Sequence, residues 1–322
     1  MCLIPKIIPT KFGTEYKDGK MIYLNEAQTA KLISHELAYT AVKEAFVAAI
    51  SSETTLFPVV NASGAQPDSM FSLKSASTAH LVGWKTGTYW PDNQAKNMPC
   101  HGTTIFLLSP ETGEVIAVVA ASKVNAYRTA AADAVAVDYL ARKDASVLTV
   151  FGTGHQAEYE VLAISAIRDI SKVIVVGRNK SNTAKFLDRL VSKGIPAEEG
   201  SAHHGCEHAD IIVTATTAKE PLFRADWVKA GTHISAMGAD KVGKQELPAE
   251  LYQNATLFCD YKLQSIVIGE FQHSAHSSIT EMGKVINGEA SGRQQDSDIT
   301  IFDSSGIAIQ DLFIASKLLE RA

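Results

Sequence analysis

Six residues, Gly152-Thr153-Gly154-His155-Gln156-Ala157, stand between a short apolar run, Val147–Phe151, and a helical pattern. A chain that must turn tightly from strand to helix and admit a diphosphate to its backbone N–H groups needs small residues at this spacing. Gly152 allows the turn, Gly154 lets a pyrophosphate approach, and Ala157 lets helix and strand pack closely. The positive end of the helix then favours the anion. Gly152, Gly154, His155, Gln156 and Ala157 are therefore candidate contacts for a nicotinamide or flavin dinucleotide. The alternative is an ordinary strand–helix turn in an α/β domain without nucleotide.

A second expected strand ends in Gly177-Arg178-Asn179. An acid at about this place accepts ribose hydroxyls in NAD sites. Here Arg178 offers a planar cation instead, with Asn179, Lys180 and Ser181 as added donors, a set suited to a 2′-phosphate. NADP(H) is the coenzyme this predicts, against the reading of Arg178 as a solvent-facing loop residue. Three more groups could carry chemistry. Arg128 opens a helix and suits a carboxylate, or else a structural ion pair. Lys74 and Lys85 lie in strand-like FSLKSAS and LVGWKTGTYW, on a wet face or in a cleft where burial lowers a lysine pKa. Asp240 follows a strand end and is either a proton-transfer carboxylate or a helix cap. His203, His204 and His208 have one metal-like spacing, but they sit on an expected peripheral crossover and read as a solvated surface helix. His273 and His276 are read in the same way, so no metal site is expected.

The elements that must position these groups fall into two rhythms. Residues 24–51 carry helical periodicity in two pieces, with Asn25 and Ser34 as N-caps. Strands are expected at 56–60, 70–75, 81–89, 103–108 and 115–120 without intervening helices, which suggests a mostly antiparallel or mixed sheet. A helix over 126–141 follows. From residue 145 strands at 147–151, 172–176, 211–214, 233–237 and 256–259 alternate with helical patterns, which implies a parallel sheet with right-handed crossovers. A strand near 298–302 and a final apolar helix over 307–319 close the chain. Docking that helix on the first part makes the first domain discontinuous.

Bulk properties narrow the partners. The chain has 322 residues, which is enough for about two cores. Its formal net charge is −5 and it has no basic stripe, which argues against nucleic acid or an anionic membrane. Cys2, Cys100, Cys206 and Cys259 are scattered and read as free thiols of a cytoplasmic protein. The start, MCLIPKIIPTKFG, is broken by prolines and lysines and reads as no signal peptide. No run is long enough to span a membrane.

Five runs occur in one order: Tyr127-Arg128-Thr129-Ala130-Ala131; Gly152-x-Gly154-x-Gln156-Ala157; Gly238-Ala239-Asp240-x-x-Gly243-Lys244-x-Glu246-Leu247; Gly292-Arg293-Gln294-x-Asp296-Ser297; and Phe302-Asp303-Ser304-x-Gly306-x-Ala308-x-Gln310-Asp311. Together they resemble the ornithine cyclodeaminase/μ-crystallin family from about residue 20 to the C-terminus. The joint order is specific for the family and much less so for the reaction. The resemblance implies a homodimer. Residues 1–127 and 303–322 would form an α+β substrate-binding and dimerisation domain built from both chain ends. Residues 128–302 would form a Rossmann-type doubly wound parallel sheet. It places Lys85 at the active-site lysine, Arg128 at the carboxylate-binding arginine and Asp240 at the acid–base aspartate. Gln156, Thr216, Met237, Lys244 and Ser304 fall at cofactor positions, and Ser305 at a substrate position.

Two departures matter. Residues 51–73 hold no arginine, where the family has one; Thr54 or Thr55 stands near that place, and Lys74 is a candidate to take over the charge. Gly177 stands where NAD-holding cyclodeaminases have an acid. FSLKSAS and GWKTGTYWPDN are similar to bacterial Δ1-pyrroline-2-carboxylate reductases of this family. The resemblance thus implies reduction of a cyclic ketimine carboxylate, Δ1-pyrroline-2-carboxylate to L-proline, with NADPH preferred or NADH. The alternatives are an ornithine cyclodeaminase with bound NAD and a crystallin-type NADPH-dependent binding protein.

Overall fold

A computed structural model describes residues 21–275 and 278–322. The proline-broken N-terminal stretch with Cys2, and His276, lie outside the described residues. The elements, in chain order, are β1 (Ile22–Leu24), α1 (Glu26–Leu32), α2 (His35–Ala49), β2 (Thr55–Leu56), β3 (Val60–Ser63), β4 (Met70–Ser77), β5 (Val82–Tyr89), β6 (His101–Leu108), β7 (Val115–Ala120) and α3 (Ser122–Leu140). They continue with β8 (Val147–Phe151), α4 (His155–Ser165), β9 (Lys172–Val176), α5 (Lys180–Val191), β10 (Ala197–Glu199), α6 (Ala202–His208), β11 (Ile211–Thr214) and β12 (His233–Ala236). The last are β13 (Ala255–Cys259), α7 (Lys262–Ile268), β14 (Ile279–Glu281), α8 (Met282–Ile286), β15 (Ile299–Asp303) and α9 (Ala308–Leu319).

Two compact units result. The first holds the described residues up to Arg128 together with Ile307–Ala322, and the second holds Thr129–Gly306. The expected junction at 302/303 differs from this second boundary. Ser304 still donates its N–H to the Ala236 carbonyl at 3.1 Å, which ties the residues just past β15 to the second unit's sheet.

In the first unit the sheet runs β1-β7-β6-β5-β4-β2, with β3 also on β4. Only β1–β7 is parallel. The strand expected over 56–60 is split into β2 and β3, consistent with Pro58, which has no N–H for a ladder. Asn25 caps α1 in a capping box with Gln28, and Ser34 caps α2 by accepting from the Leu37 N–H. α9 is buried along most of its length, packed on α2 and on β4, β5 and β6.

The second unit's sheet is parallel throughout, in the order β10-β9-β8-β11-β12-β15-β13-β14. Covered on both faces, its central strands read as near-continuous apolar runs, VLTVF, KVIVV and IIVT. β10 and β14, three residues each, carry no such run and were not legible as strands. The strand order reverses between β8 and β11, so the crevice of a doubly wound sheet opens at their carboxyl ends. Among the described residues no helix is long and apolar enough to cross a membrane.

Candidate active site

β4 and β5 are antiparallel with Lys74 directly opposite Lys85, so pleat geometry puts both side chains on one face. Lys85 is buried and Lys74 half-buried. The Lys85 Nζ donates to Asn125 Oδ1 at 2.9 Å and lies 3.3 Å from Asp311 Oδ2. Asn125 and Arg128 are one turn apart on α3, and Arg128 Nη2 donates to the same Asn125 oxygen at 3.1 Å. Its Nε is 3.6 Å from Asp311 Oδ1, and its Nη1 donates to Gln310 Oε1 at 3.3 Å. A strand, the first turns of α3 and the first turn of α9 thus bring together two cations, one acid and two amides, all within the first unit. Burial pushes the Lys85 ammonium down to about 7; Asp311 pulls it back up, while Arg128 and Lys74 push it further down. Arg128 Nε and Gln310 Nε2 are buried without a hydrogen-bond partner. Such groups mark a site that awaits a polar ligand.

Asn125, Gln310 and Asp311 carry no role in the sequence reading, although Gln310 and Asp311 stand in a run singled out there. The available signal was an amide and an acid in the first turn of the largely apolar helix α9.

In the second unit β8 meets α4 through Gly152, whose φ is +119°, a conformation that favours glycine. A Cβ there would also stand 2.6 Å from the Ala215 carbonyl oxygen, just past β11. Gly154 is the N-cap of α4 and offers no side chain to its first N–H groups; a Cβ at this position would meet nothing within 4 Å. Ala157 is fully buried against the sheet. Open, uncapped N–H groups at the head of α4, beside the reversal of strand order, fit a dinucleotide's diphosphate. Gln156 turns back along α4 and donates to Glu160 at 2.6 Å, and His155 packs against the Tyr159 ring.

Other expected residues have more particular placements. Arg178 is exposed beyond β9. Asn179 caps α5, its Oδ1 accepting from the Asn182 N–H at 3.0 Å. A side chain at Gly177 would run into the Thr183 hydroxyl and stand 2.8 Å from Thr153 Cγ2, which leaves no room for an acid there. Met237 is buried just past β12. Asp240 is exposed, caps no helix, and pairs with Lys244 at 2.6 Å, whose Nζ also donates to the Gly238 carbonyl at 3.0 Å. Ser304 is buried with its hydroxyl unpartnered. Ser305, expected to face substrate, instead donates to Asp260 at 2.9 Å and accepts from Gln264 at 2.9 Å. Its hydroxyl is consumed in a buried network. His204 and His208 face each other on α6 with ring centroids 4.2 Å apart. Among the described residues no three His, Cys, Asp or Glu groups are placed to hold a metal.

A parallel sheet reversing at β8 and β11 with a glycine turn at the reversal, plus a separate mixed-sheet unit carrying a buried cationic cluster, defines a Rossmann-type α/β protein. The chain belongs to the ornithine cyclodeaminase/mu-crystallin family, whose model matches residues 20–322. The iminosuccinate reductase of Paracoccus denitrificans is 36% identical over 94% of this chain and 97% of its own. Its structure with NAD+ superposes with a TM-score of 0.88, covering 93% of this chain and 95% of that one. An archaeal alanine dehydrogenase dimer with bound NAD follows at 33% identity, 94% and 96% coverage and a TM-score of 0.86. The Δ1-pyrroline-2-carboxylate reductase of Thermococcus litoralis, solved with NADH and L-proline, is 27% identical with 94% and 97% coverage and a TM-score of 0.85.

Proposed function

We propose that this protein is a nicotinamide-dependent oxidoreductase that reduces the C=N bond of an α-imino acid, with Δ1-pyrroline-2-carboxylate to L-proline as the cyclic case. The observation that carries the reading is the Lys85–Asn125–Arg128–Asp311 cluster. Lys85 and Arg128 share one acid, Asp311, so the cluster has a surplus of positive charge when Lys85 is protonated. A carboxylate relieves that surplus and supplies the missing acceptor for the Arg128 Nε. Held there, the substrate's C=N carbon is fixed in place, and such positioning can lower a barrier by several kcal/mol, up to about 7–11 in the best cases. Lys85, poised near neutrality, protonates the imine nitrogen or stabilises the proton on it, which makes the carbon electrophilic. Asp240, with Lys244 beside it, is assigned the companion acid–base role. The reduced nicotinamide, when bound over the Gly152 turn, supplies the hydride.

One observation favours a second substrate, an open-chain imino dicarboxylate. Lys74 faces the same strand pair as Lys85 and provides a cation for a second carboxylate, and iminosuccinate reductase is among the relatives. A coupled absorbance assay decides between the readings. NADPH or NADH is offered with pyrroline-2-carboxylate, piperideine-2-carboxylate, or oxaloacetate plus ammonium. Oxidation of coenzyme with none of them overturns the reductase reading. Ammonia release from L-ornithine without net coenzyme change would establish a cyclodeaminase instead. The assembly proposed is a homodimer, supported by the alanine dehydrogenase dimer.

The coenzyme proposed is NADPH, with NADH also accepted. The crowding at Gly177 and the exposed cation of Arg178 support this choice, while the relatives named above were solved with NAD+, NAD or NADH. Arg178→Ala should raise the KM for NADPH about 10-fold or more, the cost of one charge-assisted contact, and leave that for NADH unchanged. Equal losses with both coenzymes contradict a phosphate contact.

A further inference from the structure

Glu246 is fully buried where β11 and β12 end, and its carboxylate is saturated in a specific pattern. One oxygen, Oε1, accepts the Thr216 N–H and the Thr216 hydroxyl, both at 2.7 Å. The other, Oε2, accepts the Thr214 hydroxyl at 2.7 Å and the Gly238 N–H at 2.9 Å. Thr216 Oγ1 itself accepts from the Ala218 N–H at 3.1 Å, so its proton is directed at Glu246. Each oxygen therefore takes one hydroxyl and one main-chain N–H that cannot reverse its direction. These donors favour the ionised carboxylate, while burial, the larger effect, pushes its pKa up.

Glu246 is itself held from behind. Its N–H and that of Leu247 donate to Glu270, at 3.1 and 2.8 Å to Oε1, and the Tyr252 hydroxyl donates to the same oxygen at 3.0 Å. The contacts of Glu246 join the segment after β11 to the segment after β12. The first of these segments forms the far wall of the crevice at the strand-order reversal. The Ala215 carbonyl oxygen is the atom that a Cβ at Gly152 would meet first, and the Ala215 N–H donates to the Phe151 carbonyl at 2.9 Å. The second segment carries Met237. A dinucleotide lying over the glycine turn must fit against the segment after β11, which Glu246 anchors to the segment after β12.

We propose that Glu246 is a positioning residue for the coenzyme: by clamping 214–216 to Gly238 it holds in shape the crevice wall that faces the glycine turn, without itself serving substrate. The proposal rests on the reading of this crevice as a coenzyme site. Glu246→Gln is the informative change, because it is nearly isosteric. A side-chain NH₂ must then oppose a backbone N–H at one oxygen position or the other, so one wall loses its anchor.

The test is the dissociation constant of NADPH and NADH for the whole protein, from quenching of protein fluorescence, alongside the thermal midpoint and the KM for the imino acid. Wild-type protein is measured first; if neither coenzyme binds, the coenzyme reading fails before Glu246 is at issue. Glu246→Gln should weaken coenzyme binding about 10-fold or more and leave the imino-acid KM at saturating coenzyme within about 2-fold. Thr216→Val, a milder change that removes one of the four donors, should weaken it about 3-fold, and it serves if the first variant does not fold. Coenzyme affinity unchanged in a folded variant, with only the thermal midpoint lowered, makes Glu246 a purely structural residue and overturns the proposal. An equal rise in both constants overturns it too.

Discussion

Lys85→Met should lower kcat/KM for the imino acid by about 10³, with the protein still folded. The change keeps the stem and removes the ammonium, so packing between β5 and α9 survives while the positive end is lost. Two contributions disappear together: one of the cations holding the carboxylate, and the proton at the nitrogen, for which general acid catalysis supplies about 10²–10⁴. The pH profile separates them. Lys85 is held down to about 7 by burial, with Arg128 and Lys74 adding to the push. Below that pH it carries its proton; above it, the proton is lost. The kcat/KM of wild-type protein should therefore fall as pH rises through about 7. Lys85→Arg keeps a charge that does not titrate in this range, so it should restore much of KM, leave kcat low and abolish the limb near 7. A Lys85→Met enzyme within tenfold of wild type, or a wild-type profile flat from pH 6 to 9, removes Lys85 from the chemistry.

The second large effect is expected at Asp311, which touches both Lys85 and Arg128 and is itself buried. Asp311→Asn is close in shape but removes the acid that pulls the Lys85 pKa up. Breaking a buried ion pair by deleting one partner costs about 3–5 kcal/mol, because the other charge is left uncompensated. A drop in thermal midpoint on the order of 10 °C follows for a unit of this size. The enzyme has a second route of relief. Asp311 is the group that raises the Lys85 pKa, so without it the ammonium deprotonates more readily and the pH limb moves below 7. Activity at pH 8 should fall further than activity at pH 6, and Asp311→Glu should recover part of both stability and profile. An unchanged melting point with an unchanged profile would show that Asp311 balances nothing.

Much of the molecule was legible along the chain. The central strands β8, β9 and β11 announce themselves as apolar runs because a parallel sheet covered on both faces leaves no wet side. The turn at Gly152 is legible because a positive φ and a close carbonyl admit little else. Asn25 and Ser34 are legible as caps because an orphan N–H is satisfied two or three residues away. The glycine turn's own residues needed no distant information either. Ser305 shows where this kind of reading runs out. It is a small polar residue beside a site, and nothing local says that Asp260 and Gln264 will engage its hydroxyl.

The sequence by itself determined the two rhythms, the dinucleotide turn and the family, since these depend on periodicity and on steric needs that act over a few residues. Tertiary structure alone decided which charges meet. Asp311 at the start of an apolar helix, Asn125 on another and Lys85 on a strand become one cluster only when the two ends of the chain pack together. Glu246 likewise becomes a clamp only when β11 and β12 lie side by side. Burial and charge pairing act through space, and a buried acid reveals its purpose only through the cations and N–H groups that folding brings against it.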